Sequence, residues 1–110
     1  MIEQLFVFLK TQYYRLVLRK PLYVNKYVES IPENLHPNLL YIEGCAGEYW
    51  FASLLCPCGC MQEININLDK SEAPCWKLGK SKFSDLSPSL WKKNGCKSHF
   101  FLKKGLIKWC

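Results

Sequence analysis

Nowhere does this chain hold an uncharged apolar run of the roughly 18–20 residues that a membrane span requires. Nor does its start read as a secretory signal. The first apolar stretch carries Glu3, Lys10, Arg15 and Arg19, and no small-residue cleavage site follows it. Acidic residues are scarce, nine against fifteen Lys and Arg, so the net charge is +6. A basic surface implies acidic company: nucleic acid, an anionic membrane or an acidic protein face. Internal repeats and low-complexity tracts are missing too. With 49% hydrophobic and 22% charged residues, the composition excludes wholesale disorder. At 110 residues the chain is expected to form one domain with a modest core, to which a bound metal would add useful stability.

Cysteine is abundant instead. Seven residues cannot all pair within one chain, and Cys56, Cys58 and Cys60 stand too close for unstrained bridges with one another. Without a signal for export, clustered thiols indicate a reducing compartment, the cytoplasm, and metal binding in place of disulfides.

The chain divides into three stretches. Residues 1–20 read as an amphipathic helix, with Ile2, Leu5, Phe6, Leu9, Tyr13, Leu16 and Val17 in one apolar stripe and Lys10, Arg15, Arg19 and Lys20 as its cations. Pro21 limits its continuation. Such a helix packs on the domain or touches a membrane or a partner. Residues 21–38, punctuated by Pro21, Asn25, Pro32, Asn34, Pro37 and Asn38, read as an extended connection, with His36 as a surface loop residue. From Leu39 the pattern is one of short strands: a hairpin of 39–43 and 49–55 turning near Gly44 and Gly47, then 63–68 with Ile64, Ile66 and Leu68 on one face. Further strands are expected at 76–78, 82–84, 99–102 and 106–109, with Gly105 turning the last hairpin. The expected fold is mainly β, a small antiparallel zinc-binding β domain over 39–110 with one N-terminal α-helix.

Cys56-Pro57-Cys58-Gly59-Cys60 lies between two expected strands, and Cys96-Lys97-Ser98-His99 forms a second half-site about 40 residues later. Zinc favours thiolate and imidazole in a tetrahedral set. Five candidates compete for four places: Cys56, Cys58, Cys96 and His99 are preferred, with Cys60 as the alternate and Cys45, Cys75 and Cys110 in reserve. Four protein ligands make a structural ion, whereas three leave room for a reactive water. In the open case another group must handle protons. Glu63, three residues past the cluster, and Asp85 are the candidates, and Ser87 and Ser89 can donate hydrogen bonds to an oxyanion.

The last two thirds of the chain resemble a bacterial domain-of-unknown-function family numbered 6527. The resemblance runs through Ile31-Pro32, Leu39-Leu40-Tyr41-Ile42, Trp50-Phe51-Ala52 and the 56–60 centre. It continues through Pro74, Trp76, Leu86-Ser87-Pro88-Ser89 and Gly95 to Phe101, and closes with Gly105, Ile107 and Trp109-Cys110. Met61 and Asp85 depart from the family pattern, where glycine and threonine are common. Many members are encoded beside proteins similar to ubiquitin and to its E1-like and E2-like enzymes. The resemblance implies a zinc-dependent peptidase that trims a ubiquitin-like precursor or releases it from conjugates. The competing expectation is a non-catalytic zinc module that binds a protein or nucleic acid, using Trp50, Trp76, Trp91 and Trp109 with Lys92-Lys93, Lys103-Lys104 and Lys108.

Overall fold

A computed structural model describes residues 2–16, 22–92 and 95–110. Val17, Arg19, Lys20 and Pro21, expected at the end of the helix, and Lys93 of the basic patch lie outside the described residues. Helix α1 spans Ile2–Leu16, and eight strands follow: β1 Val24–Val28, β2 Leu39–Cys45, β3 Glu48–Leu55, β4 Glu63–Asn67, β5 Lys77–Leu78, β6 Leu86–Trp91, β7 His99–Lys103 and β8 Leu106–Trp109. No helix among the described residues is long and apolar enough to cross a membrane.

The strands form two four-stranded sheets, ordered β1-β2-β3-β4 and β5-β6-β7-β8. Alternation along each strand turns one apolar row inward. Leu40, Ile42, Ala52, Leu54 and Ile66 of the first sheet meet Leu86, Leu90, Phe100 and Leu102 of the second in one core, with Tyr23 and Leu68 at its margin. Burial of the Leu, Ile and Phe side chains among them contributes about 1.5–3 kcal/mol each, and it is what holds the sheets together.

Three local features differ from the sequence expectation. First, the extended connection contains β1, which pairs in parallel with β2. Val24, Tyr27 and Val28 favour strand, and the flanking Pro and Asn residues obscured them. Second, the β2–β3 turn is Ala46-Gly47, both at positive φ, while Gly44 sits within β2 at a register shift. A Cβ at Gly44 would strike the Glu48 carbonyl and Tyr49. Third, residues 82–84 make only a single bridge, Val24 to Phe83, and the Ser/Pro segment after them is the interior strand β6.

Three backbone hydrogen bonds tie the sheets at one end. Tyr23 N donates to Gly105 O at 2.7 Å, Gly105 N to Ser84 O at 2.6 Å, and Ser84 N to Tyr23 O at 3.0 Å. Gly105 closes the β7–β8 turn at φ +83°, where an added Cβ would collide with Leu22 and the Tyr23 carbonyl.

Candidate active site and metal centre

The β3–β4 turn gathers three sulfurs. Cys56 N donates to Gln62 O at 2.8 Å, closing the loop, and Gly59 and Met61 take positive φ inside it. These left-handed steps break strand alternation, so Cys56, Cys58 and Cys60 converge instead of pointing to opposite faces. Cys96 arrives from the β6–β7 connection. Gly95, at φ +71°, lets that connection lie against Gln62, whose side-chain amide a Cβ would hit. The four sulfurs all lie within 4.8 Å of one another. Cys56 Sγ is 3.4 Å from Cys58 Sγ and 3.5 Å from Cys96 Sγ.

The buried Ser98 hydroxyl completes this cluster, 3.4 Å from Cys56 Sγ and 3.2 Å from Cys96 Sγ. Its hydrogen bonds, first from the hydroxyl and then from the backbone, bring the Cys96 thiol down to about 6, and the Ser98 hydroxyl also lowers Cys58. Burial pushes Cys56 up to about 12. Metal binding takes up thiolates and releases protons, so Cys96 is the sulfur most ready to bind and Cys56 the one most dependent on the ion for deprotonation. Four thiolates at the zinc–sulfur distance of about 2.3 Å span edges of roughly 3.8 Å, and the sulfur separations, 3.4 and 3.5 Å at Cys56 and none above 4.8 Å, bracket that length.

His99 follows Ser98 and turns the other way. Ser98 and Phe100 are buried, and His99, between them, faces outward. Its Nε2 lies 2.9 Å from Ser89 Oγ. Its ring stacks on that of Trp91, directly opposite on β6, with centroids 5.2 Å apart and planes 18° from parallel. Ser89 reaches the histidine because β6 bulges. Leu86 pairs with Leu102 and Leu90 with Phe100, so Ser87-Pro88-Ser89 stand opposite Phe101 alone. Pro88 cannot donate to a ladder, and an interior strand admits proline only at such a bulge. Bulges re-aim side chains beside active sites. From below, Trp76 Nε1 donates to Ser89 O at 3.2 Å. The serine and the histidine are both half-buried, the setting of a reactive pair open to substrate.

Residues 27–110 match the model of a family described as bacterial ubiquitination-like system serine protease (BubE). The chain belongs to the BubE family. No curated protein and no solved structure matches it. The BubE match covers both the sulfur cluster and the Ser89–His99 pair and leaves α1 outside. It supports the ubiquitin-like setting expected from the sequence, but not the family number assigned there.

Membership in BubE overturns the zinc-dependent peptidase expected above, because the family is one of serine proteases. The geometry accounts for the error. Cys96 and His99 have the spacing of a zinc half-site, but the onset of β7 sends consecutive residues to opposite faces. Cysteine ligand atoms alone make up the close group, with Cys60 in the place expected for His99. The remaining thiols, Cys45, Cys75 and Cys110, are outside it.

The expected proton carriers stand elsewhere. Glu63 is exposed at the start of β4, paired across the ladder with Leu55. Asp85 accepts from Lys104 N at 3.1 Å and pairs with Lys103 Nζ at 3.5 Å, and that same ammonium donates to Ser87 Oγ. His36 is exposed, its backbone N–H bonded to the Tyr41 hydroxyl. The tryptophans are engaged within the chain: Trp50 Nε1 donates to Glu43, Trp76 to Ser89, Trp91 stacks on His99, and Trp109 packs edge-on to Phe100. Of these, Trp50, Trp91 and Trp109 keep 42%, 59% and 50% of their surface exposed. Ser89 was visible in the sequence only as a hydroxyl for an oxyanion. The signal for its place beside His99 is a proline flanked by serines, ten residues before a histidine that opens a strand.

Proposed function

We propose that this chain is a serine peptidase acting on the tail of a bacterial ubiquitin-like protein, as a precursor or in conjugates, with Ser89 as nucleophile and His99 as general base. The observation that carries this reading is the 2.9 Å hydrogen bond between Ser89 Oγ and His99 Nε2 on the β6 bulge. With its proton on Nδ1, His99 accepts the seryl proton at Nε2 as Oγ attacks the scissile carbonyl. The imidazolium then gives that proton to the leaving amine, and an acyl-enzyme ester forms on Ser89. Water, activated by the same nitrogen, hydrolyses the ester and restores the serine. Trp91 holds the imidazole ring in plane for both transfers. A cleft of about 860 Å³ lined by Tyr49, Trp50, Leu68, Trp76 and Leu78 offers apolar residues of the tail a receptor, and its Trp76 also holds the Ser89 carbonyl.

The same reading makes the four-cysteine centre a closed structural site for zinc. Cys56, Cys58, Cys60 and Cys96 would hold the ion, and it would supply a cross-link between the β3–β4 turn and the β6–β7 connection. His99 starts three residues after Cys96, so that link fixes where β7 begins.

The test is cleavage of a ubiquitin-like precursor, with labelling by a fluorophosphonate. Wild-type protein should label at Ser89, and Ser89→Ala or His99→Ala should cut turnover by on the order of 10⁶-fold. Ser87→Ala should label normally. Unchanged cleavage by Ser89→Ala would remove the proposal.

A further inference from the structure

Helix α1 is mounted with its apolar side outward. Leu5, Phe6, Phe8 and Leu9 are each 57% exposed, Tyr13 52% and Leu16 70%. On a helix of 3.6 residues per turn these six fall in one continuous arc. The opposite side, through Val7, Lys10 and Tyr14, faces the body. Contact with the body is light: Glu3 pairs with Lys82 at 3.5 Å, Lys10 Nζ sits 4.7 Å from the Phe83 ring centroid, and a cavity of about 620 Å³ separates Phe6 and Val7 from Tyr27 and Tyr49. The match to the BubE model begins at residue 27, after the helix.

We infer that α1 seats the protein on an anionic lipid surface, lying in the plane of the membrane with Leu5, Phe8, Leu9 and Leu16 in the headgroup boundary. The net charge of the segment fits that occupant. The first 20 residues carry Lys10, Arg15, Arg19 and Lys20 against a single acid, Glu3. The loop beside the helix adds exposed Lys80 and Lys82. A helix of 15 residues is about 22 Å long, too short to cross a bilayer of about 30 Å but long enough to bury an apolar face beneath its headgroups. Pairing the same face with a second copy would bring two segments of net positive charge together, which like-charge repulsion opposes.

The experiment is co-sedimentation of the full chain with vesicles of phosphatidylcholine containing about one third phosphatidylserine, and with phosphatidylcholine alone. Binding should require the anionic lipid, weaken as salt is raised, and fall roughly tenfold or more in the double variant Leu5→Glu, Leu9→Glu. Both side chains are exposed, so the variant should keep its strand signature in circular dichroism and its fluorophosphonate labelling. Absence of binding at low salt overturns the inference. So does equal binding by the variant, or a concentration-dependent dimer in sedimentation velocity that the variant abolishes while vesicle binding is unchanged.

Discussion

The sulfur cluster and the Ser89–His99 pair draw on one connection, the segment joining β6 to β7, yet they are organised on opposite principles. The cluster is made by turns: left-handed steps at Gly59, Met61, Gly95 and Lys97 bend the chain until four sulfurs meet. The pair is made by strands: an interior bulge lifts Ser89 out of register, and regular alternation points His99 at it across the ladder. Ser98 and His99 are adjacent in sequence and serve different centres because one faces in and the other out. Chemistry on the two faces of one strand can therefore be separated by mutation even though the fold couples them.

The largest effect should come from the outer face. Ser89→Ala is expected to lose on the order of 10⁶-fold in turnover while retaining the full metal content of wild type, measured by atomic emission on the same preparation. Metal lost along with activity would show that the two centres are not separable.

Next are the sulfurs. Cys56→Ser places a weaker ligand where the thiol is buried against the core. It should strip the metal and lower the thermal midpoint, and activity should fall with the loss of fold. Chelation of wild-type protein should do the same, followed by scanning calorimetry with and without added zinc. Full activity in metal-free protein would break the link between the turn and the start of β7.

A smaller effect is expected at the hinge between the centres. Ser98→Ala removes the hydroxyl beside two sulfurs and should weaken zinc about 10–100-fold, read by competition with a chromophoric chelator. Turnover at saturating zinc should change little, since His99 keeps its own partner on the other face. Smallest is Trp91→Ala. Loss of one aromatic stack is worth about 0.5–1.5 kcal/mol, so kcat should drop only a few-fold to about tenfold, with KM and metal content unchanged.

These faces also explain what could be read in advance. The alternation of Ile64, Ile66 and Leu68 marks β4, and the spacing of the cysteines marks the turn where the sulfurs gather, because both patterns are local. The bulged strand was not legible: Ser84 to Ser89 has the composition of a loop, and only pairing with β5 and β7 makes a strand of it from Leu86 onward. The fate of His99 was hidden for the same reason. Spacing from Cys96 measures distance along the chain, whereas the face on which a residue emerges depends on where the ladder starts. β1 was obscured by its neighbours, and its value lies in a partner 15 residues ahead, Leu39 opposite Val24.

The closed loop of backbone hydrogen bonds through Tyr23, Ser84 and Gly105 joins segments that otherwise belong to different sheets. Their amides can be freed only by parting the sheets. The two halves of the molecule should therefore open as a single cooperative unit, with these three protons exchanging into heavy water as slowly as those of the central strands.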